Sequence, residues 1–416
     1  MAAHERRIPE FLRHAPAPGV RGFAVLAAIE AMARGIMLSV YPLAMYQALG
    51  DAERVSEVYF LIGCVALVVS MFVPSIASRL TRRWTFTLGG VMLGAGALTA
   101  SQGGPLFTPL GLGLTNIGVV TFFICFNAYV LDFIERTELG RSETLRLFYS
   151  SLAWMIGPVL GVALWRLWEP APFLIAAASA ATLLAVFWYM RLGNGKLIAP
   201  GKPRPNPLRF LPRFLAQPRL IAGWLFAVIR SVGWWAYVVY MPIFAVEAGL
   251  GETMGGAFVS LANGFLLLTP FMLRWMRRRS VRQAVRTGFA GAALCFLAGA
   301  LASPAPAMTL CLLAAGAFFL ILLDVSGGLP FLMAVRPHER TEMASIYSSF
   351  RDVSGIVTPG AVRLVLAVAP LPGVFAATAG ALLIGFLIAG RLHPRLGARR
   401  MPLREGANPP KVAAET

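Results

Sequence analysis

The chain has 416 residues, of which 57% are hydrophobic and 13% charged, and its mean hydropathy is +0.70. A water-soluble domain does not have this balance, because apolar runs of about 18 or more residues are typical of membrane spans. The net charge of +18 is compatible with nucleic-acid binding, but the basic residues lie in short loops between apolar segments. The composition therefore predicts an integral membrane protein in a lipid bilayer and excludes a nucleic-acid partner.

Apolar segments follow one another along the whole chain, and each is long enough to cross a hydrocarbon core about 30 Å thick. Continuous apolarity without period-two alternation indicates helices and not the strands of a barrel. The predicted fold class is an all-α polytopic membrane protein. Its twelve transmembrane helices are predicted over residues 22–48, 56–78, 84–102, 106–133, 144–168, 171–190, 220–247, 253–273, 285–303, 307–335, 342–369 and 371–391. The first segment is too long for a cleaved signal peptide, so we expect it to remain as helix 1.

Charge alternates between successive loops. The loop after helix 1 is acidic through Asp51, Glu53 and Glu57, and the loops at 103–106 and 303–307 carry no charge. The intervening loops are rich in arginine and span residues 79–83, 134–146, 191–219, 274–286 and 336–342. Arginine-rich loops stay in the cytoplasm under the positive-inside rule. Both termini are therefore predicted to be cytoplasmic, and the expected location is a bacterial inner (plasma) membrane.

A polar linker divides the chain into two halves. Residues 191–219 hold seven basic residues, six prolines and no acid, and proline interrupts the hydrogen-bond ladder of a helix. The predicted domains are an N-terminal six-helix half (1–190), the cytoplasmic linker (191–219), a C-terminal six-helix half (220–393) and a cytoplasmic tail (394–416).

The two halves resemble each other at a nearly constant offset. Tyr149-Ser150-Ser151 recurs as Tyr347-Ser348-Ser349 after 198 positions. Other pairs with a similar offset are Pro42 and Pro242, Pro74 and Pro270, and Arg34 and Arg230. Such a pattern indicates an internal duplication of six helices, which is a common architecture of transporters.

These features together resemble the major facilitator superfamily over the whole length of the chain. Arg79, Arg82 and Arg83 are similar to the family's motif between helices 2 and 3, although Pro74 and Ser78 stand at its glycine and aspartate positions. The resemblance implies two six-helix repeats, an alternating-access mechanism, and a cavity lined by helices 1, 4, 7 and 10.

A second motif lies in helix 5. Gly157-Pro158-Val159-Leu160-Gly161 is similar to the helix-5 motif of the family's proton-coupled drug exporters, although Val162 replaces the last glycine. Glycine and proline also allow a helix to bend and to pack closely on a neighbour, so a plain packing face stays an alternative. The predicted gating residues are Arg79, Arg82, Arg83, Asp132, Gly157, Pro158 and Gly161.

Charged and polar residues inside the apolar segments mark candidate substrate and coupling sites, because each buried charge costs roughly 2.5–3.5 kcal/mol on insertion scales. Helical spacing places Glu30, Arg34 and Tyr41 on one face of helix 1, and Arg230, Trp234 and Tyr237 on one face of helix 7. Arginine beside aromatic rings suits an amphipathic or anionic organic molecule. The predicted cavity residues are Glu30, Arg34, Tyr41, Asn127, Arg230, Trp234, Tyr237, Asp324, Tyr347 and Arg351.

Proton coupling needs a carboxyl group that changes protonation as access alternates. The candidates are Asp324, Glu30 and Asp352, and we favour Asp324 because it lies mid-helix with no arginine within one turn of its own helix. A structural role is the alternative for each of them. Glu30 and Arg34 would neutralise each other within helix 1, and Arg351 and Asp352 would pair with Asp324 and Arg230.

Enzyme, cofactor and metal signatures are lacking in the sequence. Gly193-Asn194-Gly195-Lys196 lacks the first glycine of a phosphate-binding loop, and the histidines are scattered in loops and tails without zinc-type spacing. The sequence therefore predicts a monomeric secondary transporter with no cofactor and no metal.

The favoured function is proton-coupled export of a small organic molecule. One alternative is a proton symporter that imports an organic anion, and another is a transporter-like protein that serves in assembly or sensing without transport.

Overall fold

The computed structural model describes residues 19–134, 138–190, 210–335, 343 and 346–393, and the elements within these ranges are helical. The helices of the first half are α1 (Val20–Leu49), α2 (Ala52–Leu80), α3 (Arg82–Ala100), α4 (Gly104–Phe133), α5 (Leu139–Leu167) and α6 (Ala171–Tyr189). The helices of the second half are α7 (Pro218–Glu247), α8 (Glu252–Met276), α9 (Val281–Leu301), α10 (Pro306–Ala334), α11 (Phe350–Leu366) and α12 (Pro372–Gly390). A short helix, Leu211–Leu215, precedes α7.

Within the described ranges, ten of these helices are long and apolar enough to cross a membrane, namely all except α3 and α11. The chain is thus an integral membrane protein, as its composition predicts. The α11 helix has 17 residues, and its predicted start at 342 lies outside the described residues. The count of twelve membrane spans stays a prediction. Most of the predicted linker and the predicted tail also lie outside the described residues.

Tight turns join consecutive helices into antiparallel pairs. Gly50 ends α1 with φ of 72°, a left-handed conformation that glycine adopts without strain. The Asp51 side chain then accepts a hydrogen bond of 3.0 Å from the amide of Glu53 and caps α2. Because these turns are short, the acidic residues around them gather at one end of the bundle.

We name the two ends of the bundle by their charges. The acidic end carries the turns with Asp51, Glu53, Glu57, Glu169 and Glu252. The basic end, on the opposite side, carries Arg79, Arg82, Arg83, Arg278 and Arg279.

Small residues allow close helix packing inside the first half. A Cβ atom on Gly118 of α4 would lie 2.6 Å from the backbone nitrogen of Leu93 in α3, and one on Gly96 would lie 2.5 Å from that of Thr115. These backbones touch directly, as is common where membrane helices associate through small residues. Dense packing of this kind holds α3 and α4 directly against each other.

The hydrophobic cores show how the halves meet. The largest core contains residues of both halves, and its first-half members include Val40 and Val55 near the acidic end and Val162 of α5. Toward the basic end the cores are separate. One holds Phe86 and other first-half aromatic residues, and others hold only second-half residues such as Phe331. The halves therefore pack on each other at the acidic end.

Candidate functional site

A cavity of about 360 Å³ lies between the first half and α7. This volume is within the range of small-molecule sites. The lining residues are Ala33, Arg34, Met37, Leu38, Tyr41, Pro42, Tyr59, Leu93, Ala97, Leu112, Thr115, Asn116, Val119, Trp154, Ala176, Trp234, Trp235, Val238 and Val239. The wall is mostly apolar and aromatic, and the Tyr41 and Thr115 hydroxyls hydrogen-bond each other over 2.7 Å. Such a wall suits a molecule with an apolar body and few polar groups.

A charged pair within α1 borders this cavity. Arg34 forms an ion pair with Glu30, one helical turn away, and the Glu30 side chain is 3% exposed. The guanidinium carbon of Arg34 lies 4.8 Å from the ring centre of Phe123 and 4.7 Å from that of Trp154. Arg146 of α5 is close enough to Glu30 to interact electrostatically. The predicted neutralisation of Glu30 by Arg34 is thus present, and aromatic rings hold the cation in the wall.

A second charged pair joins two helices of the second half. Arg230 Nε of α7 lies 3.0 Å from Asp324 Oδ1 of α10. The indole Nε1–H of Trp234 donates to Asp324 Oδ2 over 3.0 Å. Arg230 also lies over the ring of Phe350, 5.4 Å from its centre, and Arg351 lies 5.6 Å from the same centre. Residues of α7 and α10 therefore meet at one carboxylate, and α11 contacts the arginine of this pair through Phe350.

A π-helical turn at Ala236–Tyr240 interrupts α7 just after Trp234. The wider turn changes the register that the spacing of Arg230, Trp234 and Tyr237 assumes. Trp234 lines the cavity. Tyr237, in contrast, is fully buried, and its hydroxyl donates to the Phe258 carbonyl over 2.6 Å. In this conformation Tyr237 thus packs against α8 and is not on the cavity wall.

The helix-5 motif lies where α5 contacts both α1 and α8. A Cβ atom on Gly157 would lie 2.5 Å from the carbonyl carbon of Gly35, and one on Gly161 would overlap the Ile36 carbonyl oxygen. Pro158 follows Gly157, and the next amide, that of Val159, donates to Ser260 Oγ of α8 over 2.9 Å. The motif therefore combines close packing inside the first half with a hydrogen bond between the halves.

Polar contacts also join the halves at the acidic end. Arg166 of α5 lies 3.9 Å from Glu252 and donates to Thr253 Oγ1 over 2.7 Å. Arg363 of α11 lies 3.9 Å from Glu53 and 3.7 Å from Glu57 of α2. Deeper in the bundle, Ser56 and Tyr240 share a 2.9 Å hydrogen bond and Tyr59 packs edge-on against Trp235. These contacts hold the acidic end closed.

The predicted gating residues of the basic end lie within the first half. Arg82 pairs with Asp132, and its guanidinium lies 5.5 Å from the centre of the Tyr129 ring. Arg79 is exposed and Arg83 is half-buried. The Arg82–Asp132 pair ties α3 to α4, so it stabilises one half and does not bridge the two.

The remaining predicted site residues are placed as follows. Tyr347 stacks on Phe331 with ring centres 4.2 Å apart, Asn127 is exposed on α4, and Asp352 is half-buried in α11. Arg34, Tyr41 and Trp234 line the cavity, whereas Glu30, Asn127, Arg230, Tyr237, Asp324, Tyr347 and Arg351 do not.

Sequence reasoning missed several wall residues, among them Asn116, Trp154 and Trp235. Two signals were available. Asn116 and Thr115 are polar residues inside an apolar helix, which favours an interior role. Trp154 stands one turn before the glycine–proline motif of α5. Which tryptophans face the cavity depends on helix rotation, which the sequence does not reveal.

Comparison with known proteins identifies the family of the chain. A family model of the Major Facilitator Superfamily matches residues 23–359. The chain belongs to the major facilitator superfamily. This superfamily consists of transporters and not of enzymes, and its members lie in the lipid bilayer, in agreement with the apolar helices of the chain.

Sugar efflux transporter B of Salmonella typhimurium (strain LT2) is 27% identical to this superfamily member over 220 residues, which are 50% of this chain and 52% of that protein. The chain spans about half the length of this curated relative.

Solved structures share the fold. A POT family transporter in complex with 5-aminolevulinic acid has a TM-score of 0.72 at 14% identity, with 91% of this chain and 98% of that chain covered. The nucleoside transporter NupG has a TM-score of 0.69 at 13% identity, with 90% and 99% covered. At these identities the likeness concerns the fold alone, and it agrees with the predicted superfamily.

Proposed function

We propose that this protein exports an amphipathic small organic molecule across a bacterial inner membrane in exchange for protons. It does so by alternating access, as a monomer with twelve membrane-spanning helices and cytoplasmic termini. The observation that carries the proposal is an apolar, aromatic cavity that contacts, through Trp234, an arginine–aspartate pair between two helices. A cavity of this kind binds the substrate, and a carboxylate in such a pair exchanges a proton.

The closed acidic end supports an assignment of the conformational state in the transport cycle. If the arginine-rich loops face the cytoplasm, the acidic end is external, and the conformation described is closed to the outside. The separate cores at the basic end fit an opening toward the cytoplasm. Rocking of the two halves would then break the contacts of Arg166 and Arg363 and open the cavity to the outside.

Asp324 is the favoured proton carrier because its partners, Arg230 and Trp234, lie on a different helix. Arg230 and Trp234 belong to α7, and Phe350, below Arg230, belongs to α11. Protonation removes the negative charge that attracts Arg230, so the free energy of contact between α7 and α10 depends on the proton. A movement of the second-half helices is thereby linked to proton uptake and release.

Export is favoured over import of an anion by the pairing of the arginines. Arg34 is engaged by Glu30 and Arg230 by Asp324, so each cation is already balanced by a carboxylate. An anionic substrate would have to displace one of these carboxylates, whereas an amphipathic substrate fits the aromatic wall. The match to a sugar efflux transporter supports the same direction, and the superfamily's transport function argues against a purely structural role.

The test compares small molecules inside cells and in the medium, with the gene deleted and overexpressed, and with and without a protonophore. We expect a compound that accumulates in deleted cells and leaves overproducing cells, with loss of that efflux when the protonophore is added. Depletion from the medium by overproducing cells would instead establish uptake.

Two variants make this test specific. Asp324→Asn should insert normally and lose the protonophore-sensitive efflux. Glu169→Gln, at an exposed acid of the acidic end, is the matched control and should transport like the wild type. Full proton-driven efflux by Asp324→Asn would remove Asp324 from the mechanism.

A further inference from the structure

Substrate site and carboxylate are separate in this structure. Asp324 and Arg230 do not line the cavity, whereas Trp234 does. The Trp234 ring forms part of the wall, and its Nε1–H donates to Asp324 Oδ2 over 3.0 Å. Trp234 therefore touches both the space that a substrate would occupy and the group that would carry the proton.

We infer that Trp234 transmits the charge state of Asp324 to the cavity wall, and so couples substrate binding to protonation. The inference rests on the proposed function, in which Asp324 carries the proton. Trp234 is a positioning residue in this scheme, because it neither takes up the proton nor changes covalently.

The physical basis is the strength of the indole hydrogen bond. A bond to an ionised carboxylate is roughly twice as strong as one to a neutral acceptor. When a proton binds to Asp324, both this bond and the attraction to Arg230 weaken, and the indole is released to take another rotamer. If protonation of Asp324 changes the affinity for a substrate that packs on the ring in one rotamer, thermodynamic linkage requires that this substrate change the proton affinity of Asp324 by the same factor.

The backbone beside Trp234 allows such a movement. The π-helical turn at Ala236–Tyr240 begins two residues later, and Pro242 follows it. Single π turns insert one extra residue into a helix and are frequent at functional sites. Val238 and Val239 of this turn also line the cavity, so a change in the turn would reshape the same wall.

Among the residues that the structure describes, few charged or titratable groups surround Asp324. Arg230 faces it from α7. Tyr347, which precedes α11, is within electrostatic range of Arg230, Asp324 and Arg351. Helices α8 and α9 present apolar side chains to α10, among them Met272 and Phe296. A change in the protonation of Asp324 can therefore alter the cavity wall directly, through the indole of Trp234.

The neighbouring tryptophan provides a matched comparison. Trp235 also lines the cavity, but its ring packs edge-on against Tyr59 of α2, with ring centres 5.6 Å apart. Trp234→Phe removes the N–H donor and keeps an aromatic wall, and Trp235→Phe makes the same chemical change one residue away. If phenylalanine at 234 prevents folding, Trp234→Leu is a second variant that also removes the donor.

The experiment measures opening of the basic end without a substrate. Spin labels are attached at Leu80 of α2 and Leu332 of α10, which are both exposed, after the four native cysteines are replaced by serine. Pulsed electron–electron double resonance on the full chain in lipid nanodiscs then gives the populations of short and long distances between the two labels at low and high pH. For the wild type we expect the population ratio to change by about tenfold between roughly pH 5.5 and 8.5.

The variants separate the inference from the proposed function. The inference expects Asp324→Asn to change by less than about twofold and Trp234→Phe to keep at most about threefold, the part carried by the Arg230–Asp324 contact, whereas Trp235→Phe keeps clearly more of the response. Trp188→Phe of α6 also removes an indole N–H donor, lies outside the cavity lining and is the control that should respond like the wild type. A full response of Trp234→Phe beside a flat Asp324→Asn would overturn the inference and leave the proposed coupling in place. Equal loss in both tryptophan variants would also overturn it, because any aromatic wall residue would then serve. A flat response of the wild type would overturn both.

Discussion

The two halves of the molecule hold their buried charges in different ways. In the first half, Glu30 and Arg34 pair within one helix, so the pair moves with α1 as a unit. In the second half, Arg230 and Asp324 pair between α7 and α10, and Trp234 adds a hydrogen bond to the same carboxylate. A pair within one helix keeps its geometry when helices shift, whereas a pair between helices does not. The second arrangement therefore links a charge change to a shift between helices more directly than the first.

The largest effect should come from the carboxylate between helices. Asp324→Asn is expected to lower proton-coupled efflux by roughly 100-fold or more, as for loss of a proton-transfer group. Efflux into everted membrane vesicles, driven by a proton gradient, measures it. Glu30→Gln, adjusted for the amount of folded protein, should keep coupling to the gradient. Loss of coupling in both variants would contradict the distinction between the two pairs.

The pair within α1 should instead dominate stability. Glu30→Gln leaves Arg34 without its carboxylate partner, which we expect to cost about 2–4 kcal/mol, a discounted value because Arg34 is 31% exposed. The double variant Glu30→Gln/Arg34→Gln should recover most of this loss. Unfolding in mixed detergent micelles gives the free energies, and a double variant as unstable as the single one would show that the pair is not the cause.

The two halves also differ at repeat-related glycines, Gly157 of α5 and Gly355 of α11. A Cβ atom at Gly157 would meet the backbone of Gly35 at 2.5 Å, whereas one at Gly355 would meet only the Trp235 ring, at 3.6 Å. Gly157→Ala should therefore cost about 1–3 kcal/mol through overpacking, and transport should fall several-fold. Gly355→Ala should change little. Equal unfolding free energies for the two variants would show that α1 and α5 can separate without cost.

The smallest effect should come from the arginines of the acidic end. Arg166 and Arg363 are 61% and 47% exposed, and exposed pairs contribute about 0–1 kcal/mol each. Arg166→Gln should shift the conformational equilibrium toward opening at this end by less than about fivefold. Spin labels across the acidic end measure the shift, with Arg54→Gln as the control. A larger shift would show that the Arg166 contact contributes a major part of the stability of the closed acidic end.

The fold was largely predictable from the sequence. Hydropathy located helices at the predicted positions, because burial in a bilayer is decided by the apolarity of each segment. Loop charge predicted which turns lie at the same end of the bundle, since Asp51 and Arg82 belong to turns on opposite sides. The helix starts were the least accurate part of the prediction. Helices α2, α5 and α9 begin at Ala52, Leu139 and Val281, four to five residues before the predicted starts at 56, 144 and 285.

The candidate site was predictable only in part. The four-residue spacing of Glu30 and Arg34 predicts their contact, because i and i+4 are neighbours on any helix. The spacing also places the Tyr237 ring beside that of Trp234, with ring centres 6.2 Å apart, but it does not predict that Tyr237 leaves the cavity wall at the π-helical turn and donates to the Phe258 carbonyl. Periodicity assumes a regular helix, and the sequence has no clear signal for a π turn.

The sequence by itself determined the membrane class, the helix positions and the candidate charges, because these depend on composition and spacing along the chain. The tertiary structure alone decided which charges meet and which rings face the cavity. Arg230 finds Asp324, and Trp234 joins that carboxylate to the cavity wall, because helix rotation and packing bring together residues that lie about 90 positions apart. Contacts of this kind follow from the three-dimensional arrangement of helices and not from local spacing.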